Sequence, residues 1–174
     1  MQPHLTSPSS KQAGFTLIEL MVVVVIVSVV TSISILSLGP SEQAKLTTQQ
    51  NQLKTLLGFV RDQSTFDRKL YLVTPDDKGL TTHVFTKNKW QKADKVAFLA
   101  WQAGINASWK VDEDYAQQQQ LPDPGWLFWP TGEVLEGEAY FSVGENAFQN
   151  SNKAEVSTVV WDGLLQFESS TQTK

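Results

Sequence analysis

The chain has 174 residues, 41% of them hydrophobic, and a formal net charge of −4. That length allows one globular domain behind a separate N-terminal segment, and the acidic balance argues against a nucleic-acid partner, which calls for a surplus of Lys and Arg. No cysteine is present, so disulfides and thiolate metal sites are excluded.

Residues 1–13 are polar, carry Pro3, Pro8 and Lys11, and read as a leader without a fold of its own. Residues 15–38 are apolar almost throughout. As a helix they would rise about 36 Å at about 1.5 Å per residue, enough to cross about 30 Å of hydrocarbon. In lipid such a segment must satisfy its own backbone, which makes a helix even of this β-branched run. Lys11, with no further basic residue before Lys45, places the N-terminus on the cytoplasmic side. Glu19 does not belong in an ordinary anchor. An ionised carboxylate in hydrocarbon costs roughly 2.5–3.5 kcal/mol, so a function must offset it. A secretory signal peptide fits poorly, because its apolar region is only about 7–15 residues long.

Gly39-Pro40 ends the run. Pro40 lacks an N–H and would clash with the carbonyl of Leu36, which predicts a break over 37–40. Beyond it, Leu46, Leu53, Leu56, Leu57 and Val60 recur at helical spacing, with Gln49, Gln50, Lys54, Arg61 and Asp62 on the remaining surface. The spacing predicts an amphipathic helix over 39–69. Its apolar stripe needs a sheet to lie on.

Alternation predicts strands over 70–74, 80–86, 96–101, 109–111, 126–129, 139–143, 156–161 and 164–167. Turn chemistry falls at Pro75-Asp76-Asp77-Lys78-Gly79 and at Asn88-Lys89, and 112–125 reads as an exposed loop. One long helix followed by strands, with no second helix, is an α+β order. The expected architecture is a long N-terminal helix packed on an antiparallel β-sheet head over 70–174. Lys87, Lys89, Lys92 and Lys95 fall in one hairpin, where like charges discourage edge aggregation; a phosphate-binding patch is the competing reading. Trp126, Phe128 and Trp129 place rings on both faces of one strand. The second face then needs a loop, another sheet or a neighbouring subunit.

Catalytic chemistry is thin. His4 and His83 are the only histidines, and no phosphate loop, nucleophile elbow or zinc-binding His pair is present. Neither an enzyme nor a cofactor or metal is expected. Asp112-Glu113-Asp114 and Asp76-Asp77 lack the spacing of a calcium loop and read as solvated acids.

The string Gly14-Phe15-Thr16-Leu17-Ile18-Glu19-Leu20 resembles the prepilin-peptidase site of type IV pilins and type II secretion pseudopilins. The resemblance implies cleavage after Gly14, methylation of Phe15 as the new N-terminus, and a filament-assembly role for Glu19. In that family the acid neutralises the terminal amine of a neighbouring subunit, and a close ammonium–carboxylate pair does offset desolvation of both charges. The leader is longer than many in the family, and the helix-breaking proline comes later, at Pro40. Phe128-Trp129-Pro130-Thr131-Gly132 resembles an aromatic-x-Pro-x-Gly element of the minor pseudopilin H class and its pilus-side relative FimT, with Pro130 and Gly132 as a structural turn. The implied protein is a minor pseudopilin of the type II secretion pseudopilus, or alternatively a FimT-like minor pilin. The implied organisation is a leader over 1–14, a membrane and filament-core helix over 15–38, an amphipathic continuation over 39–69 and a periplasmic head. Implied partners are the prepilin peptidase and methyltransferase, other minor and major pseudopilins, the bacterial inner membrane and secreted proteins.

Overall fold

The computed structural model describes residues 17–36, 41–143 and 155–173, with side chains described for 17–29, 41–143 and 156–171. The chain divides into two units, Met1–Gly39 and Pro40–Lys174. In the first unit, α1 runs Leu17–Leu36.

The second unit opens with α2, Glu42–Asp67. Ser41 caps it, its hydroxyl accepting from the Ala44 N–H at 3.2 Å, and Glu42 adds a carboxylate to the positive end of the helix dipole. Arg68 ends the helix in the left-handed region at φ 53°. Leu46, Leu53, Leu57 and Val60 are buried along one face, as their spacing predicts. Gln49 and Gln50, expected on the surface, are buried with them. A bonding partner explains each: Gln49 Oε1 accepts from the Gln102 N–H at 2.9 Å, and Gln50 Nε2 donates to Thr158 O at 3.4 Å.

Two antiparallel sheets replace the single sheet expected. The first joins β1 (Tyr71–Asp76), β2 (Gly79–Thr86), β3 (Lys89–Lys92) and β6 (Trp126–Phe128) in the order β3-β2-β1-β6, with β4 (Leu99–Ala100) also pairing with β2. The second has the order β5-β7-β8-β9, from β5 (Ile105–Lys110), β7 (Gly137–Val143), β8 (Glu155–Trp161) and β9 (Phe167–Thr173). Helix α2 lies against β1, β4 and β6 of the first and β7 and β8 of the second. The core cluster is drawn from Leu46 to Phe167, so this unit holds its own hydrophobic core.

Four local expectations change. Residues 96–101 alternate, yet only Leu99 and Ala100 pair, because β3 already occupies the rest of that edge of β2. Pro75 joins β1 instead of the turn. Its missing N–H would point toward β6, whose pairing stops at Val73, so no ladder bond is lost. The final strand starts at Phe167, because Leu164 and Gln166 donate their N–H groups to Asp162 Oδ1 in a turn. Finally, α3 (Glu113–Gln118) forms inside the expected loop. Asp112 caps it by accepting from the Tyr115 N–H at 2.8 Å, and Glu113 and Asp114 occupy the first turn, where acids favour the helix.

Both faces of β6 are covered within the fold. Trp126, Leu127 and Phe128 are all buried, and Trp129 is half-buried. Trp126 meets Trp161 edge-on at 4.8 Å between centroids. Each indole N–H is satisfied, by Lys110 O and by Leu135 O, both at 3.1 Å. Gly137 sits where only a glycine fits: a Cβ there would lie 2.4 Å from Trp126 Nε1 and from Trp161 Cζ2.

Candidate processing and assembly site

Glu19 lies in the first turn of α1. The apolar side chains from Leu17 to Val29 are each more than half exposed. Ser28 closes its own hydroxyl onto Val24 O at 2.7 Å, which removes a free donor from this apolar surface. Among the described residues no helix is long and apolar enough to cross a membrane; the span expected over 15–38 runs past the described side chains at both ends. Gly14, Phe15, Gly39 and Pro40 lie outside the described residues.

The Phe128–Gly132 element joins the far end of α2 to the first sheet. Gly132 N–H donates to Trp129 O at 3.0 Å, closing a turn over Pro130 and Thr131, and Gly132 adopts φ 92°. A side chain would be strained at that angle. Trp129 N–H bonds Glu133 O, so the chain doubles back beside β6. The buried Ser64 hydroxyl on α2 lies 2.7 Å from Arg61 O and 3.1 Å from Trp129 O. The turn is thereby tied to the helix.

The lysine hairpin forms, with its two-residue turn at Lys87-Asn88, one position earlier than predicted. Both residues have positive φ, 50° and 59°, the geometry that matches strand twist in a tight hairpin. Phe85 and Trp90 face each other across it at 5.3 Å. Lys87, Lys89 and Lys92 are exposed. Lys95 turns away to Asp67 at the end of α2, at 3.1 Å, and Tyr71 also donates to that carboxylate, at 2.6 Å. The Tyr71 hydroxyl first, with further donors including Lys95, holds Asp67 down to a pKa of about 2. Burial pushes the Tyr71 phenol above its ordinary range. This cluster was missed in the sequence, because Asp67 and Tyr71 are separated by the helix end and no local pattern joins them.

His83 lines a cavity of ≈ 450 Å³ with Asp76, Trp109, Glu113 and Asp123. Burial holds its imidazole below the usual range. Asp76 Oδ1 also accepts from the Lys78 and Gly79 N–H groups and so shapes the β1–β2 turn. Among the described residues no group of three or more His, Asp or Glu side chains could hold a metal ion.

A prokaryotic N-terminal methylation motif is matched over residues 9–35, in a chain whose second unit lays a helix on two antiparallel sheets. Type II secretion system protein H of Pseudomonas aeruginosa is 42% identical over 59 residues, which cover 33% of this chain and 34% of that protein. The match thus spans about a third of the curated relative. Two structures of the minor pseudopilin EpsH from the type II secretion system of Vibrio cholerae share the fold. Their TM-scores are 0.51 and 0.52 at 16% and 17% identity, covering 71% and 74% of this chain and 94% of each EpsH chain.

Proposed function

We propose that this chain is a minor pseudopilin of the H class, a subunit of a type II secretion pseudopilus that supports export of folded proteins across the outer membrane. One observation carries the reading: a prepilin-type methylation motif stands ahead of a head with the fold of a minor pseudopilin. In this account the prepilin peptidase cuts after Gly14, Phe15 becomes the methylated N-terminus, and residues 15–38 hold the subunit in the bacterial inner membrane before it enters the filament. The freed amine of one subunit meets Glu19 of its neighbour, or of its own chain one helical turn away. Gly39-Pro40 is the proposed helix break between residues 15–38 and the head. The head sits at or near the filament tip with other pseudopilins. The work is mechanical, and the chain is a substrate of the peptidase with no catalysis of its own.

The test is deletion and complementation of the gene, scored in parallel for exoprotein secretion and for pilus-dependent motility and DNA uptake. Lost secretion with intact pili supports the proposal; the reverse overturns it. The exposed Lys87, Lys89 and Lys92 favour a second reading, a FimT-like minor pilin that takes part in pilus initiation or DNA uptake. That reading requires salt-sensitive DNA binding by the head, weakened when those lysines are neutralised.

A further inference from the structure

Four strands end the two sheets, and three of them are closed to a further strand. β3 is four residues long and carries Lys89 and Lys92, charges that keep a neighbouring edge away. β6 is three residues long, and the returning chain takes its outer side: the Leu135 N–H donates to Leu127 O at 2.8 Å. β5 ends in Lys110, and its Ile105 N–H already donates to Gln102 O at 3.0 Å. β9 differs. It pairs with β8 over its whole length, and among the described residues no strand pairs with its other side. It holds no Lys, Arg or Pro, and Glu168 is its one charge. We infer that β9 pairs antiparallel with β9 of a second copy across a two-fold axis at Ser170, joining two four-stranded sheets edge to edge.

The outward-facing backbone of β9 follows from the turn before it. The Asp162 N–H donates to Gln166 O at 3.4 Å, so these two residues are a hydrogen-bonded pair. Such pairs alternate along an antiparallel ladder. Phe167, Ser169, Thr171 and Thr173 therefore turn their N–H and C=O groups away from β8, toward the free side. A two-fold at Ser170 sets Ser169 opposite Thr171 of the second copy and Phe167 opposite its Thr173, so every outward group gains a partner. Glu168 does not face Glu168 of the second copy, and Ser170 faces itself. The contact is isologous and closes at two copies.

Helix α2 leaves room for the second copy. It packs on β7 and β8, so its axis lies about one and a half strand spacings inside β9 and about two inside the two-fold. At about 4.8 Å per spacing the two copies of α2 stand roughly 19 Å apart, well beyond the separation of about 8–10 Å at which helices touch. Lys54 reaches out from α2 over the edge strand: its ammonium lies 5.9 Å from the Phe167 ring centroid and donates to Ser169 Oγ at 3.1 Å. One turn further along that flank Gly58 presents no side chain, and a Cβ there would meet nothing within 4 Å. Ser170 points to the opposite face from Ser169 and is exposed. β8 already holds β9 extended, so little ordering entropy opposes the pairing.

The inference does not rest on the secretion reading, and residues 41–174 contain the whole core, so the head can be studied without α1. The chain has no cysteine. Ser170→Cys therefore adds one thiol, whose counterpart in the second copy lies opposite at about 4.5 Å between Cα atoms, within reach of a disulfide. With oxidised glutathione that variant should crosslink to a dimer at least about fivefold faster than Lys89→Cys on the β3 edge. Ser170→Glu and Ser170→Lys should each stay monomeric in sedimentation up to about 1 mM, with circular dichroism unchanged, because like charges then face each other. Their 1:1 mixture should form the dimer. Should either charge perturb folding, Thr171→Pro removes an N–H that β8 does not use, and it should abolish crosslinking of Ser170→Cys. Crosslinking of Ser170→Cys no faster than that of Lys89→Cys overturns the inference. So does a mixture that stays monomeric, or crosslinking indifferent to Thr171→Pro.

Discussion

The two long helices have similar lengths, 20 and 26 residues, and opposite relations to their surroundings. From Leu17 to Val29 the apolar side chains of α1 stand exposed all round. In α2, Leu46, Leu53, Leu57 and Val60 form one stripe buried on two sheets with Leu56 half-buried beside it, while Phe59 and Phe66 stay outside. A helix that is apolar all round needs an apolar environment; a helix with a stripe needs one neighbour. The lone acid of α1 and the buried glutamines of α2 sharpen the contrast. Each is a polar residue in an apolar setting, but the glutamines bond the backbone of segments distant in sequence, whereas the proposed role of Glu19 is to meet a freed N-terminal amine.

The largest expected effect tests that last difference. Glu19→Leu should leave leader cleavage and membrane retention intact and abolish incorporation into filaments, read by crosslinking or by secretion. Wild-type incorporation of the variant would remove the distinction between the helices. Next, Leu53→Ala should destabilise the isolated head by about 2–5 kcal/mol, seen as a lower denaturation midpoint. Val25→Ala, made in the full chain, should leave the unfolding of the head unchanged. Equal effects would mean the two helices are not read by different solvents.

A smaller effect belongs to the end of α2. Asp67 is ionised in the fold down to a pKa of about 2, against about 3.9 in an unfolded chain. Its contribution to stability is therefore complete above pH 4 and is lost as pH falls toward 2. Asp67→Asn should cost on the order of 1 kcal/mol at pH 7, discounted for its partial exposure, and the gap to wild type should close near pH 2 in denaturant titrations. Smallest of all, Phe66→Ser on the outer face should shift head stability by less than about 0.5 kcal/mol. A larger loss would show that this ring is covered.

Much of the fold is legible in the sequence. The α2 stripe and most of the strands follow from periodicity, because a half-buried element must alternate between core and water. Periodicity does not say which strands share a sheet, and the division into two sheets depends on pairings such as Trp109↔Ala139 and Val73↔Trp126 between segments distant in sequence. Buried Gln49 was invisible for the same reason, since its partner is the backbone of Gln102, 53 residues away. The short α3 was readable in principle: Asp112-Glu113-Asp114 is a cap and an acidic first turn, but three acids also suit a solvated loop. The proposed assembly site is the reverse case. Its residues are conspicuous in the sequence because they violate local rules for an anchor, while Gly14 and Phe15 lie outside the described residues.

Gln49, Gln50 and Ser64 have a consequence for a head that is pushed or pulled through its helix. A stripe of leucines on a sheet is slippery: sliding by one turn, about 5.4 Å, would exchange one set of greasy contacts for a comparable one. Gln49 to Gln102, Gln50 to Thr158 and Ser64 to Trp129 act as pins at intervals along that interface. An axial load on α2 strains them together in shear, and none can re-form with the helix one notch out of place. Helix and head are therefore coupled along their interface, and a load on α2 would reach both sheets at once.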